Sequence, residues 1–214
     1  MKRVLVACEF SGVVRRAFEE RGFDAWSCDL EPSLDGGNHI QGDVVQVLND
    51  GWDLIIAHPP CAYLTSSAEW AYKDGPYHQR VSPTTLVGEA RREARQKAIE
   101  FVLRIASADC PQIAIENPVG ALSSAWRRPD QIIQPHQFGA DASKATCLWL
   151  KNLKPLTPTV QCPPRIVNGK KRWANQTDSG QNRLSPSERR WADRSVTYPG
   201  IAEAMATQWG ETTF

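Results

Sequence analysis

An α/β fold on a mostly parallel sheet, with helices on both faces, is what this chain of 214 residues predicts. Three observations carry that expectation. Short Val/Ile/Leu runs alternate with helical stretches through the first 118 residues. Each run stops at a polar residue or a proline. One long amphipathic stretch separates the third run from the fourth, as a crossover between parallel strands requires.

The elements follow in order. "RVLVACEF" (Arg3 to Phe10) is a buried-strand run. "SGVVRRAFEERGF" opens with Ser11 and Gly12 as a turn and places Val13, Val14, Ala17 and Phe18 at helical spacing. "DAWSCDL" is the second strand, closed by Asp29 and Leu30, and "EPSLDGGNHIQGD" is a loop rich in Gly, Pro and Asn. "VVQVLNDG" is a short helix and "WDLIIAHPP" a strand stopped by its prolines. Residues 62 to 81 read as loop. The long helix spans "SPTTLVGEARREARQKAIEFVLRIAS", with Ser82 as cap, Pro83 in the first position, and Val87, Ala90, Ala94, Ala98, Phe101, Val102 and Ile105 as its apolar stripe. "QIAIENP" (Gln112 to Pro118) is the fourth strand. Farther on, "KATCLWLKNL" is a strand or hairpin arm, "NGKK" signals a turn, "SPSERRWADRSV" reads as a short capped helix, and "PGIAEAMATQWG" is a helix with Ala202, Ala206 and Trp209 on one side. The whole is expected to be one domain (1–214), with a small irregular subdomain in its C-terminal third, near residues 154–182.

Composition bounds the partners. The formal net charge of +1 supplies no global field toward nucleic acid or a membrane surface, so any such affinity has to come from a local patch. The apolar run of "MKRVLVACEF" is stopped by Glu9 and is too short for a secretory signal, and no stretch approaches the roughly 18 apolar residues of a membrane span. The six cysteines form no CxxC pair, so no metal site is expected. A cytoplasmic protein with reduced thiols is the simplest reading.

In open parallel sheets, ligands bind outside the carboxyl ends of the strands. Ser11, Asp29, Asp43, Cys61 and Glu116 all fall at such ends or just past them. Cys61 follows two prolines, so it belongs on a stiff loop, a good place for a nucleophilic thiol. Glu116 sits in Glu-Asn-Pro after an apolar strand, where a carboxyl group can supply or hold a proton. A thiolate that adds to carbon 6 of a pyrimidine needs such a partner at ring nitrogen 3. Carbon 5 then becomes nucleophilic enough to take a methyl group.

These pieces resemble, in the same order, the motifs of the DNA cytosine-5 methyltransferases. "ACEFSGVVRRAFEERGF" resembles the family's opening Phe-Ser-Gly motif, which implies that Phe10, Ser11 and Gly12 line an S-adenosyl-L-methionine pocket. Asp29, followed by Leu30, matches the acidic residue that holds the donor's ribose, and "QGDV" with Asp43 looks like the Gly-Asp motif beside the adenine. "HPPC" is similar to the Pro-Pro-Cys loop, which makes Cys61 the implied nucleophile, with Pro59 and Pro60 beside substrate and Pro59 also beside the donor. "IENP" matches Glu-Asn-Val, which makes Glu116 the implied partner of nitrogen 3 and Asn117 its neighbour at the substrate. "RLSPSERRWADR" and "YPGIAEAMATQW" are similar to the last two motifs. The resemblance implies a Rossmann-like class I methyltransferase fold and methylation of cytosine at carbon 5.

The chain also departs from the family pattern. His58 stands where a glycine is usual, and Ala-Tyr-Leu-Thr follows the cysteine. Of the family's paired arginines only Lys144 falls where the first would be, and Thr146 takes the second place. Between that segment and the last motifs only about Lys154 to Asn182 remains as a reduced substrate-recognition segment, with Arg165, Lys170, Lys171, Arg172 and Arg183 near Trp173. DNA is therefore the first expected partner. A free cytosine nucleotide, which needs no unstacking, and an inactive binding module are the alternatives.

Plainer roles stand beside these. Asp29 is equally suited to a turn and Asp43 to capping the helix after it. His58 reads as a turn histidine with a backbone partner, and His78 and His136 as solvated. Arg91, Arg92 and Arg95 read as a solvated helix face, and Cys8, Cys28, Cys110 and Cys147 as small apolar packing groups.

Overall fold

The computed structural model describes residues 1–78, 80–184 and 195–210. In chain order the elements are β1 (Arg3–Ala7), α1 (Val13–Glu19), β2 (Asp24–Asp29), β3 (His39–Gln41), β4 (Leu54–Ala57), α2 (Gly88–Ala106), β5 (Gln112–Pro118), α3 (Leu122–Ala125), β6 (Gln131–Ile133), β7 (Thr146–Lys151), β8 (Arg165–Val167), β9 (Lys170–Arg172) and α4 (Pro199–Gly210). Seven strands form one sheet in the order β3-β2-β1-β4-β5-β7-β6, and β8 and β9 form a separate hairpin. The strands from β3 through β5 pair in parallel, and β7 runs antiparallel to both its neighbours. This is the expected Rossmann-like sheet, parallel except where β7 is inserted.

Strand alternation builds a core on each side. On one face Val4, Val6, Leu54 and Ile56 meet Val14 and Phe18 of α1 and Met205 and Trp209 of α4. On the other, Leu5, Ala7, Ile55, Ala57, Ile113 and Ile115 meet Val102 and Ile105 of α2. With both faces covered, the strands read as continuous apolar runs. The strand order turns back between β1 and β4, so the crevice of this sheet opens at the carboxyl ends of those two strands. Residues 8–12 and 58–61 border it.

Several expectations need correction. β3 was expected as loop; His39–Gln41 pairs in register with Ser27–Asp29, using edge residues too few and too polar to form an apolar run. The long helix starts at Gly88 rather than after Ser82, because Gly88 adopts φ 57 and Val87 is extended, which breaks the helical path from Pro83. Ser82 instead shares a hydrogen bond with Thr84. Ala90 is exposed, while Arg91 is buried, stacked over the rings of Tyr63 and Tyr72. Arg95 lies 3.4 Å from the centre of the Tyr72 ring and bonds Glu69 and the Tyr63 carbonyl. These arginines hold the loop after Cys61 against α2 and are not a solvated face. "NGKK" does make the β8–β9 turn, with Asn168 at φ 49 and Gly169 at φ 73. Most of "SPSERRWADRSV" lies outside the described residues.

Candidate active site

The chain turns sharply as it leaves β1. Cys8 adopts φ 59, and the amides of Cys8 and Glu9 both donate to the Cys28 carbonyl, at 2.8 and 3.3 Å. This aims Glu9 inward, where its buried carboxylate accepts from the Ser11 hydroxyl (3.1 Å), the Val14 amide (2.8 Å) and the Arg15 amide (3.2 Å). Glu9 thus satisfies the open N-terminus of α1, a task the sequence reading left unassigned. The signal was an acidic residue directly before a turn and a helix. Gly12 is required here: it has φ 71, and a Cβ would lie 2.4 Å from Asp35 Oδ2. Asp35 in turn binds the buried Arg15 and also Arg16. Burial works to raise the Asp35 carboxyl, but hydrogen bonds from Ser33, Gly37 and Arg16 and the Arg15 charge outweigh it and hold the group well below the usual carboxylate range.

Asp29, Leu30 and Asp43 lie at one corner beside this turn. The Asp29 carboxylate accepts from the Glu31 amide at 3.0 Å, and its carbonyl accepts from Gly42 at 2.8 Å. Asp43 accepts from the Val45 amide at 3.0 Å and so caps the short 3₁₀ turn Val44–Gln46. The turn and capping roles weighed for both aspartates are therefore filled, and Leu30 is exposed. Both carboxylates still act electrostatically on the thiols next to them. Burial, then the Asp29 and Asp43 charges, push the Cys28 thiol up to about 11, and Cys8 is pushed higher by burial and the same neighbours. Both shifts disfavour the thiolate form that a nucleophile needs.

Cys61 is different, for it is exposed. Its carbonyl accepts from the amides of Leu64 and Thr65, both at 3.0 Å, which folds the loop back on itself. Parallel pairing of β4 with β5 sets Ala57 opposite Ile115, so His58 and Glu116 leave the sheet side by side. His58 Nδ1 lies 3.0 Å from Glu116 Oε2. One residue farther along each strand, the Asn117 side-chain amide donates to the Pro59 carbonyl at 2.8 Å. Pro59 is buried, while Pro60 and Cys61 are exposed two steps beyond. The ring of His58 thus faces a carboxylate, not the backbone partner expected; its own amide donates to the Ala7 carbonyl.

Burial works to raise the Glu116 carboxyl, but the His58 hydrogen bond and charge, followed by the Lys144 charge, outweigh it and hold the group below its ordinary value. Lys144 is set by its backbone, whose amide donates to Gln134 Oε1 at 2.9 Å. Cys147, opposite Asn117 across β7, is buried, and burial and the Glu116 charge raise its thiol. The carboxylate, the ammonium group of Lys144 and the loop of Cys61 thus share one end of the sheet. Phe10, Ser11 and Glu9 share a cavity with Cys8 and His58, which Ser195 and Thr197 complete from the far end of the chain. Gly12 is the turn beneath it. The cavity, the glycine turn and the acidic residue closing β2 lie at the carboxyl ends of the parallel strands, where ligands of such sheets bind. Among the described residues no group of three or more His, Cys, Asp or Glu could hold a metal ion, and no helix is long and apolar enough to cross a membrane.

Residues 154–184 pack beside Lys144. Asn175 exchanges two hydrogen bonds with Ser143, each 2.9 Å, and the Ala174 amide donates to Asp141. The Trp173 ring stacks on His136 at 4.3 Å, so His136 is not a solvated residue as expected. Arg165 pairs with Asp178 at 2.5 Å, while Arg172 and Arg183 donate to carbonyls of residues 176–179. Much of the expected basic patch is therefore spent on holding the segment's own loops.

No protein-family model matches the chain, and neither does any curated protein. Solved structures do. One is described as a DNA modification methyltransferase encoded within an Escherichia coli prophage, with 15% identity over 78% of this chain and 54% of the other, at a TM-score of 0.44. Another is the Dnmt2 methyltransferase of S. pombe, with 17% identity over 72% and 52%, at 0.44. A third is a mutant DNMT2 from Spodoptera frugiperda, with 17% identity over 80% and 57%, at 0.41. The chain spans about half the length of these structures.

Proposed function

We propose that this chain is an S-adenosylmethionine-dependent methyltransferase acting on carbon 5 of cytosine, with DNA as its substrate. The observation that carries the reading is the double tie between the ends of β4 and β5. His58 holds Glu116, and Asn117 holds the peptide of Pro59, so an exposed thiol and a partly buried carboxylate stand on one rigid edge. Separately, Phe10 and Ser11, two of the residues expected around the donor, line a cavity that reaches the same histidine.

Each residue then has a task. The Cys61 thiolate adds to carbon 6, and the ring electrons move toward nitrogen 3. Glu116, ionised before the base arrives, takes up a proton from water as the base binds and gives it to nitrogen 3, and His58 and Lys144 favour the carboxylate that this leaves. Carbon 5 becomes the nucleophile. Phe10, Ser11, Gly12, Asp29, Leu30, Asp43 and Pro59 would hold S-adenosylmethionine, which would supply an electrophilic methyl group and leave as S-adenosylhomocysteine. Loss of the carbon 5 hydrogen as a proton to water then lets the Cys61–carbon 6 bond break, and nitrogen 3 returns its proton to the Glu116 carboxylate, restoring the aromatic ring and the thiolate. Pro60 and Asn117 keep the loop in place during these steps, and Lys144 offers a charge beside the extruded base. Residues 154–182, with Lys170 and Lys171, serve as the reduced substrate-recognition segment and touch phosphate.

The hairpin strands are only three residues each, and this favours a second reading in which the substrate is a free cytosine nucleotide. Labelled methyl donor offered with duplex DNA, single-stranded DNA and dCMP separates the readings. Label at carbon 5 of cytosine in DNA is the expected result. Label confined to dCMP moves the substrate to the nucleotide, and donor binding without transfer to any of the three reduces the chain to a binding module.

A further inference from the structure

The His58 ring borders two places at once. Its Nδ1 is taken up by Glu116 at 3.0 Å, while His58 is also among the residues lining the cavity beside Cys8, Glu9, Phe10 and Ser11, which Glu116 does not line. Its other nitrogen, Nε2, is buried, and among the described residues no protein atom hydrogen-bonds to it. A buried polar atom without a partner is costly, and natural folds keep few of them.

Chemistry fixes which way the ring is used. An ionised carboxylate only accepts hydrogen bonds, so Nδ1 carries the proton, and in the neutral imidazole Nε2 then presents a lone pair. The ring cannot rotate to hide that lone pair without giving up Glu116. The main chain holds it as well, since the His58 amide donates to the Ala7 carbonyl at 2.9 Å. Glycine at this position would keep the amide contact and lose the contact with Glu116.

We propose that His58 is a positioning residue that joins the two halves of the site: Nε2 accepts a hydrogen bond from an N–H or O–H group of the bound methyl donor while Nδ1–H orients Glu116 toward the substrate. This rests on the donor reading of the cavity given above. The carboxylate and the donor are then felt by one ring, so filling the cavity stiffens the carboxylate that the substrate must meet. The relation is reciprocal, because coupling between two binding events works in both directions.

S-adenosylhomocysteine is the probe, and two amide variants split the ring's roles. The amide nitrogen of Asn falls where Nδ1 stands, and the amide of Gln reaches where Nε2 stands. His58→Asn keeps the Glu116 contact and loses the cavity contact, and it is expected to bind S-adenosylhomocysteine about ten-fold more weakly than the wild type in calorimetry. His58→Gln keeps the cavity contact and is expected to remain within about two-fold of the wild type, since a retained hydrogen bond preserves its share of affinity. Thermal melts of both variants verify that they are folded. The wild-type protein supplies a readout that needs no variant: in a long-range proton–nitrogen spectrum, the Nε2 resonance of His58 shifts upfield when S-adenosylhomocysteine saturates the protein. An unmoved Nε2 resonance at saturation, or His58→Asn binding as tightly as wild type, overturns this inference and leaves the donor reading intact. Wild-type protein that does not bind S-adenosylhomocysteine at all overturns the donor reading, and this inference falls with it.

Discussion

The edge formed by β4 and β5 and the hairpin formed by β8 and β9 hold their side chains by different means. At the edge, backbone register sets the positions, and two cross-strand hydrogen bonds, 3.0 and 2.8 Å long, tie residues 58 apart in the chain. In the hairpin, three-residue strands carry mostly exposed side chains, and the arginines bond carbonyls a few residues away. The first arrangement is over-determined, so removing one group leaves the backbone in place. The second is local, so a change alters what the surface offers and little else. Chemistry belongs on the first kind of scaffold, and adjustable contact on the second.

The largest expected effect tests the edge directly. Cys61→Ser changes one exposed atom on a loop held by its own backbone, so stability is expected to stay within about 0.5 kcal/mol. Methyl transfer is expected to fall by a factor on the order of 10³ or more, as losses of nucleophiles do. Thermal melts and the labelled-donor assay measure the two quantities. A variant that retains transfer would remove Cys61 from the chemistry.

What could be read from the sequence follows the same division. Gln112–Pro118 and Pro199–Gly210 have the bounds expected, because each is an apolar run or stripe closed by its own punctuation. The placement of Cys61 and Glu116 at neighbouring strand ends was legible for the same reason. Glu9 and His58 were not legible as site residues, since their work depends on partners that only the fold supplies: amides of a turn for one, and a carboxylate 58 residues away for the other. Arg91 was read as solvated because nothing local to α2 announces Tyr63 and Tyr72, whose rings cover it. His136 was misread in the same way, its stacking partner Trp173 coming from far along the chain.

A glycine in each region sharpens the comparison at the next size of effect. A Cβ on Gly120 would lie 1.9 Å from the Leu64 carbonyl oxygen, at the bridge where Thr65 pairs with Gly120. Gly120→Ala therefore pushes the loop after Cys61 away from the end of β5. It is expected to cost about 1–3 kcal/mol, as overpacking does, and to lower methyl transfer as the thiol moves. Gly169, at φ 73 in the hairpin turn, has open space around it. Gly169→Ala is expected to cost about 1 kcal/mol through backbone strain and to leave transfer to dCMP unchanged. Denaturant titration with the transfer assay reads both variants, and equal losses of activity would erase the distinction between the regions.

Acid reaches the edge through Glu116. Its folded-state value lies below the ordinary value of 4.5, so ionised Glu116 contributes stability above that pH and the contribution is lost as pH falls through the folded value. Glu116→Gln is expected to flatten the stability profile on the acid side while leaving an uncharged partner for His58. Melts of wild type and variant between pH 3 and 7 make the comparison. A variant with the same acid slope as wild type would show that other carboxylates, Asp35 among them, set the whole of it.

The smallest effect concerns the hairpin and is the most specific to its role. Lys170 and Lys171 stand on β9, exposed, beside arginines already committed to Asp178 and nearby carbonyls. Removing an exposed lysine costs the fold little, within about 0.5 kcal/mol. If these two side chains meet phosphate, each contributes a released counterion, and the slope of log affinity against log salt shrinks by about 1 for each lysine removed. Lys170→Ala, Lys171→Ala and the double variant, titrated with duplex DNA at several salt concentrations, are expected to show slopes that step down together with affinity, without preference for any one sequence. An unchanged slope in the double variant would take the hairpin out of DNA contact. The edge of β4 and β5 would then keep its chemistry but face a substrate small enough to need no second surface, which is the condition a free nucleotide satisfies.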